Sequence, residues 1–294
     1  MSAAQARTVV VLGGTGFLGR RVARALVASG YDVVTGTRAP EQAKDADRPI
    51  RIDLADPTSL ERAFSKVFAV VNCIGLYVER GADTFQAVHV EGAGRVAEVA
   101  ARQAVARLVH ISGVNVDAAS RSAYVRARAQ GEEAVRAAFS AATILRPSAM
   151  FTEDAGFFAV LENVVRSAPV MPLFGDGATR LQPVHADDVA EAVVRVLASD
   201  AAPATTCELG GPDIMTYREI VERVAARAGL RRLLLPVPFP LWHALACAAS
   251  ALPSPPIVPG QVALMEHDNV ASPGMPGFAE LGITPRSASG LGLV

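Results

Sequence analysis

The sequence predicts an α/β fold, a doubly wound parallel sheet followed by a smaller C-terminal α/β lobe, and three observations carry that expectation. Residues 8–20 read TVVVLGGTGFLGR, an apolar run that enters a glycine-rich turn and then a helix. The first half of the chain then alternates strand-like and helix-like segments with short connections, as parallel strands with helical crossovers require. From Phe151 onward that alternation becomes irregular, which marks a change of architecture. Residues 1–150 are therefore expected to form a Rossmann core and 151–294 a mixed lobe, with 181–210 packing back on the core.

The first strand comprises Val9, Val10, Val11 and Leu12, apolar without alternation, as a central strand buried on both faces should be. Gly13, Gly16 and Gly19 follow at three-residue spacing, with Thr15 in the turn. Phe17, Leu18, Val22, Leu26 and Val27 then recur at helical spacing until Gly30. Glycines let the backbone approach a pyrophosphate, and the helix N-terminus supplies free N–H groups and partial positive charge. Further strands are expected at 32–37, 50–54, 67–73, 106–112 and 142–146, with helices at 57–66, 84–103 and 121–138. In the lobe, helices are expected at 156–167, from Asp187 and Asp188 onward, and from a Thr216 cap through Arg227.

The carboxyl ends of these strands are where such folds bind ligands. The second strand ends in Thr37 and Arg38, without the acidic residue that accepts a ribose 2′-OH. An arginine there suits a 2′-phosphate, so NADP(H) is the preferred cofactor and NAD(H) the alternative. Asp53 and Leu54 end the third strand, where an aspartate can meet the adenine amino group. Asn72, Cys73, Ile74 and Gly75 end the fourth, with small residues beside the adenosine ribose.

Composition narrows the function. The 294 residues carry a formal net charge of −1 and no basic run, which argues against nucleic acid as partner. Cys73, Cys207 and Cys247 are far apart and lack metal-type spacing, so a reducing compartment and no metal are expected. The first apolar run is the nucleotide-binding strand itself, so no secretory leader is expected and the location is read as cytoplasmic. His110, inside a strand, reads as a satisfied inner polar group, and His185 with Asp187 and Asp188 as capping chemistry. Mean hydropathy is high at +0.29. Part of that excess lies in a segment without formal charge that begins at Leu233 and ends at Pro259 (LLLPVPFPLWHALACAASALPSPPIVP). Its prolines leave an apolar run too short to span a bilayer. It is read either as core or as a surface, including Phe239 and Trp242, that docks on a membrane or a membrane-bound partner.

GGTGFLG, the TR after strand two, DL at 53–54, NCIG at 72–75, HISG at 110–113, Tyr124 with a basic residue four positions on, and LRPS at 145–148 together resemble the extended and atypical short-chain dehydrogenase/reductase superfamily. FGDGATRLQPVHADDVAEAV, ELGGPDIMTYREIVE, LLLPVPFPL and QVALMEHDNV are similar to the branch containing the NAD(P)H-binding accessory subunit of respiratory complex I and its bacterial relatives. The resemblance implies that Ile111, Ser112 and Pro147 border the nicotinamide end, with Pro147 against the ring. It also implies a catalytic tyrosine at Tyr124. The partnering lysine is replaced by Arg128, which keeps the charge but cannot release a proton near neutrality. The slot for a helping hydroxyl is Gly113, with Ser112 as the substitute, and His89 stands where many relatives carry asparagine. The expected function is a cofactor-holding accessory or assembly component linked to respiratory complex I or quinone metabolism, peripheral on the inner face of the membrane. The alternatives are an active oxidoreductase or epimerase acting on a carbonyl or sugar-nucleotide substrate, and an NADPH/NADP redox sensor.

Overall fold

The computed structural model describes residues 7–199, 205–250, 252 and 257–294. The N-terminal half contains β1 (Thr8–Leu12), α1 (Phe17–Ala28), β2 (Asp32–Thr37), β3 (Pro49–Arg51), α2 (Pro57–Phe64), β4 (Ala69–Asn72), α3 (Ala93–Arg102), β5 (Arg107–Ile111), α4 (Ala123–Ala138) and β6 (Thr143–Pro147). The C-terminal half adds β7 (Met150–Phe151), α5 (Phe157–Ser167), β8 (Val170–Phe174), β9 (Arg180–Leu181), β10 (Val184–His185), α6 (Ala186–Ala198) and β11 (Thr206–Leu209). It closes with β12 (Met215–Thr216), α7 (Tyr217–Arg227), β13 (Leu233–Val237), α8 (Phe239–Ala249) and α9 (Pro259–Leu264).

Seven parallel strands form one sheet in the order β11-β6-β5-β4-β1-β2-β3. Val9 through Leu12 of β1 have no exposed surface, which explains their unalternating pattern. On one face, Leu18, Val22 and Leu26 of α1 and Val189, Val193 and Val196 of α6 join a core with Val9 and Val11. On the other, Val10 and Leu12 pack with Leu60 and Phe64 of α2 and Val96 and Val99 of α3. The sheet is thus covered on both sides. A third core unites α5, α7 and β8 through Phe158, Leu161, Leu173, Ile220 and Val224.

Local chemistry sets the helix ends. Asp56 caps α2 by accepting from the Thr58 N–H at 3.0 Å, and Pro57 opens the helix. Thr216 and Glu219 form the capping box that starts α7, which ends at Arg227 as expected. The third strand is shorter than the expected 50–54, because β3 is an edge strand that finds partners only at 49–51. The helix expected over 84–103 is also not uniform. Gln86–Gly92 adopt π-helical turns before α3 begins. A Cβ at Gly131 of α4 would lie 2.0 Å from the His89 carbonyl oxygen, so this widened turn and α4 touch backbone to backbone.

The charge-free segment divides. Among the described residues β13 pairs only with β8, and α8 follows it, while residues 251 and 253–256 lie outside the described residues. Trp242 is half-buried and turns its indole inward, as the core alternative expects: its Nε1–H donates to the Leu173 carbonyl at 2.8 Å and its ring packs on Phe174. Phe239 is half-buried against Gly175. Leucines supply the exposed apolar surface instead, at Leu233, Leu235, Leu241, Leu245 and Leu252. Among the described residues no helix is long and apolar enough to cross a membrane.

Candidate functional site

The glycine turn is built by close approach. A Cβ on Gly19 would lie 2.1 Å from the Gly13 carbonyl oxygen, and one on Gly14 would lie 2.7 Å from Thr35 Cγ2. Gly13 adopts φ +68°, open to glycine, and its N–H donates to the Gly36 carbonyl at 3.1 Å. The α1 cap, Gly16, offers no side-chain acceptor, and no acidic residue stands in the first turn. Orphan N–H groups and the positive end of α1 therefore face the turn uncancelled, beside Thr15, Phe17 and Leu18. The residues fit a pyrophosphate.

Beyond the ends of β2 and β3 lies a cavity of about 700 Å³ lined by Arg38, Arg51, Arg62, Asp53 and Asp56 among others. Arg38 projects there with 73% of its side chain exposed, yet it is already engaged: its Nη1–H donates to Asp83 Oδ2 at 2.7 Å. Asp53 spends one oxygen on the Ala55 N–H at 2.9 Å, which holds the following turn. The Leu54 carbonyl accepts from the Arg95 guanidinium, and its side chain lies against Gly92. Asp83, Arg51 and Arg62 did not emerge from sequence reasoning. Asp83 reaches Arg38 from a loop 45 residues away, a proximity no local pattern encodes.

At the ends of β4 and β5, Ile74 and Gly13 are in contact, and the Ile74 N–H donates to Asn72 Oδ1 at 3.1 Å. Burial pushes the Cys73 thiol up to about 12, so it is no thiolate near neutrality. Asn72 Nδ2 meets His110 Nδ1 at 3.2 Å, and burial followed by the charge of Arg128 holds His110 down at about 3. His110 is a neutral, satisfied strand residue. His89 reaches across to Leu76, 2.9 Å from its carbonyl, and is likewise held near 3, chiefly by burial and then by Arg128.

Tyr124 and Arg128 stand one turn apart on α4, both buried. The tyrosine ring is boxed by Tyr77, Phe85 and His89, at centroid distances of 5.5, 5.5 and 5.6 Å. Burial raises the Tyr124 hydroxyl pKa well above its usual value, and Arg128 lowers it only in part. The Arg128 guanidinium sits 5.2 Å from the Tyr124 ring centroid and donates to the Ile111 carbonyl at 3.3 Å. Burial works against its charge, but Tyr124, Tyr77 and Glu132 offset that, leaving its pKa above the ordinary value. A Cβ on Gly75 would lie 3.3 Å from Arg128 Nη2, so glycine leaves room for the larger cation. Ser112 Oγ and Arg128 Nε are buried without a hydrogen-bond partner. Gly113 has space around it, and the Pro147 carbonyl ending β6 accepts from the Val114 N–H at 3.2 Å.

Two polar clusters brace this end. Arg146 donates to Glu132 at 2.9 and 2.7 Å and to Glu208 at 3.1 Å, and both carboxylates are buried. Glu208 also accepts the Ser272 N–H at 2.7 Å, tying the chain's last segment to the sheet. His185 caps α6 by accepting from the Asp187 N–H, and Arg286 donates to the same Nδ1 at 2.9 Å. Its Nε2–H therefore faces Glu153 at 3.3 Å. Among the described residues no three such side chains gather as metal ligands.

The profile of the NAD dependent epimerase/dehydratase family matches residues 9–210. The chain belongs to that family. NADH-ubiquinone oxidoreductase 40 kDa subunit, mitochondrial, of Neurospora crassa is 32% identical over 287 residues, covering 95% of this chain and 76% of that protein. Ceramide reductase of Caulobacter vibrioides is 32% identical over 270 residues, covering 88% and 83%. A solved structure described as MoeE5 in complex with UDP-glucose and NAD superposes with a TM-score of 0.73 at 18% identity, over 97% and 96% of the two chains, and shows the shared fold.

Proposed function

We propose that this chain holds NADP(H) as an accessory component of a membrane-bound respiratory assembly, with little or no turnover of its own. The glycine turn would hold the pyrophosphate, and Arg38, Arg51 and Arg62, which share the cavity with Asp53 and Asp56, would supply the donors for a 2′-phosphate at the adenosine end. The family resemblance and the complex I relative support the assembly role. The exposed leucines of β13 and α8 are the surface proposed to meet the membrane or its resident partner, on the inner face.

The observation that carries the reading is Arg128. A bound nicotinamide supplies or accepts a hydride, and the chain must then move a proton at the substrate oxygen. Tyr124 is the group proposed for that step, but burial raises its hydroxyl pKa well above the usual value, which makes it a weak proton donor to a substrate oxygen and leaves it without the anionic form the reverse step needs. Arg128 is held by the Ile111 carbonyl rather than free to follow the proton, and Gly113 supplies no hydroxyl. Loss of an effective acid–base group costs about 10²–10⁴ in rate. Purified protein is expected to bind NADPH without oxidising it when offered small carbonyls or sugar nucleotides, and Arg128→Lys to raise the rate. Robust NADPH oxidation by the wild type, abolished in Tyr124→Phe, overturns the reading. That outcome favours the second reading, a working reductase, which the unpartnered Ser112 hydroxyl supports as a group kept for a substrate oxygen.

A further inference from the structure

We infer that the large cleft over Tyr124 binds an uncharged, single-chain amphiphile, its oxygen-bearing head at Tyr124 and its apolar chain along α8 and α9. The inference rests on the reading of the chain as a cofactor-holding protein at a membrane. The cleft has a volume of about 1650 Å³, larger than a small carbonyl compound needs. Tyr124 and Tyr77 line it together with the apolar side chains of Phe239, Leu252, Val258 and Leu264.

Charge decides against a nucleotide diphosphate. A pyrophosphate asks for converging cations. Among the described residues, the wall made by α8, α9 and the segment after them offers no arginine or lysine, but it does present Glu266 and Asp268. Arg80, Arg121 and Arg146 also line the cleft, together with Glu79, Asp117 and Glu208. Arg146 is already held by two buried carboxylates. Asp268 is in turn paired with Arg180 and Arg146 with Glu132; with both partners counted, six carboxylates stand against four arginines, a balance that disfavours an anion and leaves a neutral head unopposed.

The same helix also offers a route in. Phe239 and His243 of α8 line the cleft, whereas Leu241 and Leu245 are 52% and 48% exposed. A helix that turns Phe239 to the cleft, pairs His243 with Glu266 there and leaves leucines outside suits a ligand that arrives from a lipid phase.

The test is calorimetric titration with 2-hexanone, 2-octanone and 2-decanone, and separately with UDP-glucose, each without and with NADPH. Affinity is expected to rise about fourfold per methylene, as chain burial dictates, while UDP-glucose binds more weakly than 2-decanone. Val258→Asp places a carboxylate in the cleft at the N-cap of α9, a position where aspartate favours the helix. It is expected to weaken 2-decanone at least tenfold while leaving the NADPH affinity of the same preparation unchanged. Tighter binding of UDP-glucose, affinity independent of chain length, or an unaffected Val258→Asp variant overturns the inference. The titrations without NADPH read the cleft alone, so a failure of NADPH to bind counts against the cofactor reading and not against this one.

Discussion

Replacement of Arg38 by alanine is expected to weaken NADPH far more than NADH, and the size of the effect follows from what Arg38 does in the free protein. A charge-assisted hydrogen bond to phosphate contributes about 1.5–3 kcal/mol. Arg38 does not begin free, however, because it is paired with Asp83 at 2.7 Å. That pair is solvent-exposed, with side chains 73% and 39% accessible, and such pairs are worth about 0.2–1 kcal/mol. Exchange of carboxylate for phosphate therefore nets roughly 1–2 kcal/mol, or about five- to thirtyfold in affinity. Asp83→Ala should act in the opposite direction, tightening NADPH several-fold by releasing Arg38 and removing a like charge from the phosphate. Both effects should shrink as salt is raised. Calorimetric titration of NADPH and NADH into wild type, Arg38→Ala and Asp83→Ala reads all three. Equal affinity of wild type for the two cofactors refutes the reasoning, and so does weaker NADPH binding in Asp83→Ala.

Acid should destabilise the protein well before its carboxylates protonate. His89 and His110 are held near 3 in the fold against an ordinary value of 6.5, so between those values the unfolded chain binds more protons. Their stability contribution is complete above pH 6.5 and is lost as the pH falls toward 3, about 2 kcal/mol for each histidine by pH 5. Urea midpoints at pH 7 and pH 5 measure the change, and equal midpoints contradict it. Membrane docking through α8 should depend on Leu241 and Leu245, each contributing about 1.5–3 kcal/mol when buried. In flotation with uncharged phosphatidylcholine vesicles, Leu241→Asp with Leu245→Asp should abolish binding that survives high salt in the wild type. Binding lost by salt alone, or retained by the double variant, counts against that surface.

The fold was legible in the sequence wherever burial is two-sided or a cap is local. β1 reads as a central strand because all four of its apolar residues are inside, and α7 reads from Thr216 to Arg227 because its capping box is contained in four residues. β3 and the turns before α3 were less legible, since an edge strand ends where its single partner ends and a π-helical turn is set by its fit against Gly131. Trp242 shows the same limit in the lobe. Its neighbours suggest an exposed aromatic, but β8 offers it a carbonyl from 69 residues away, and the indole satisfies its N–H there. At the site, the glycines and Arg38 could be placed from the strand-and-turn pattern, and Tyr124 and Arg128 from the family resemblance, whereas their electrical state could not. Arg38 is paired by a residue from another loop, and the charge of Arg128 is sustained by Tyr77, Tyr124 and Glu132. On the proposed function, those pairings bear on whether the arginines hold a ligand or assist a reaction. A lysine at position 128 has the same formal charge but only a point ammonium to offer, without the planar fork that reaches the Ile111 carbonyl. The substitution therefore exchanges a mobile proton partner for a fixed strut, and on this reading the site retains the means to hold a cofactor while losing an efficient way to use it.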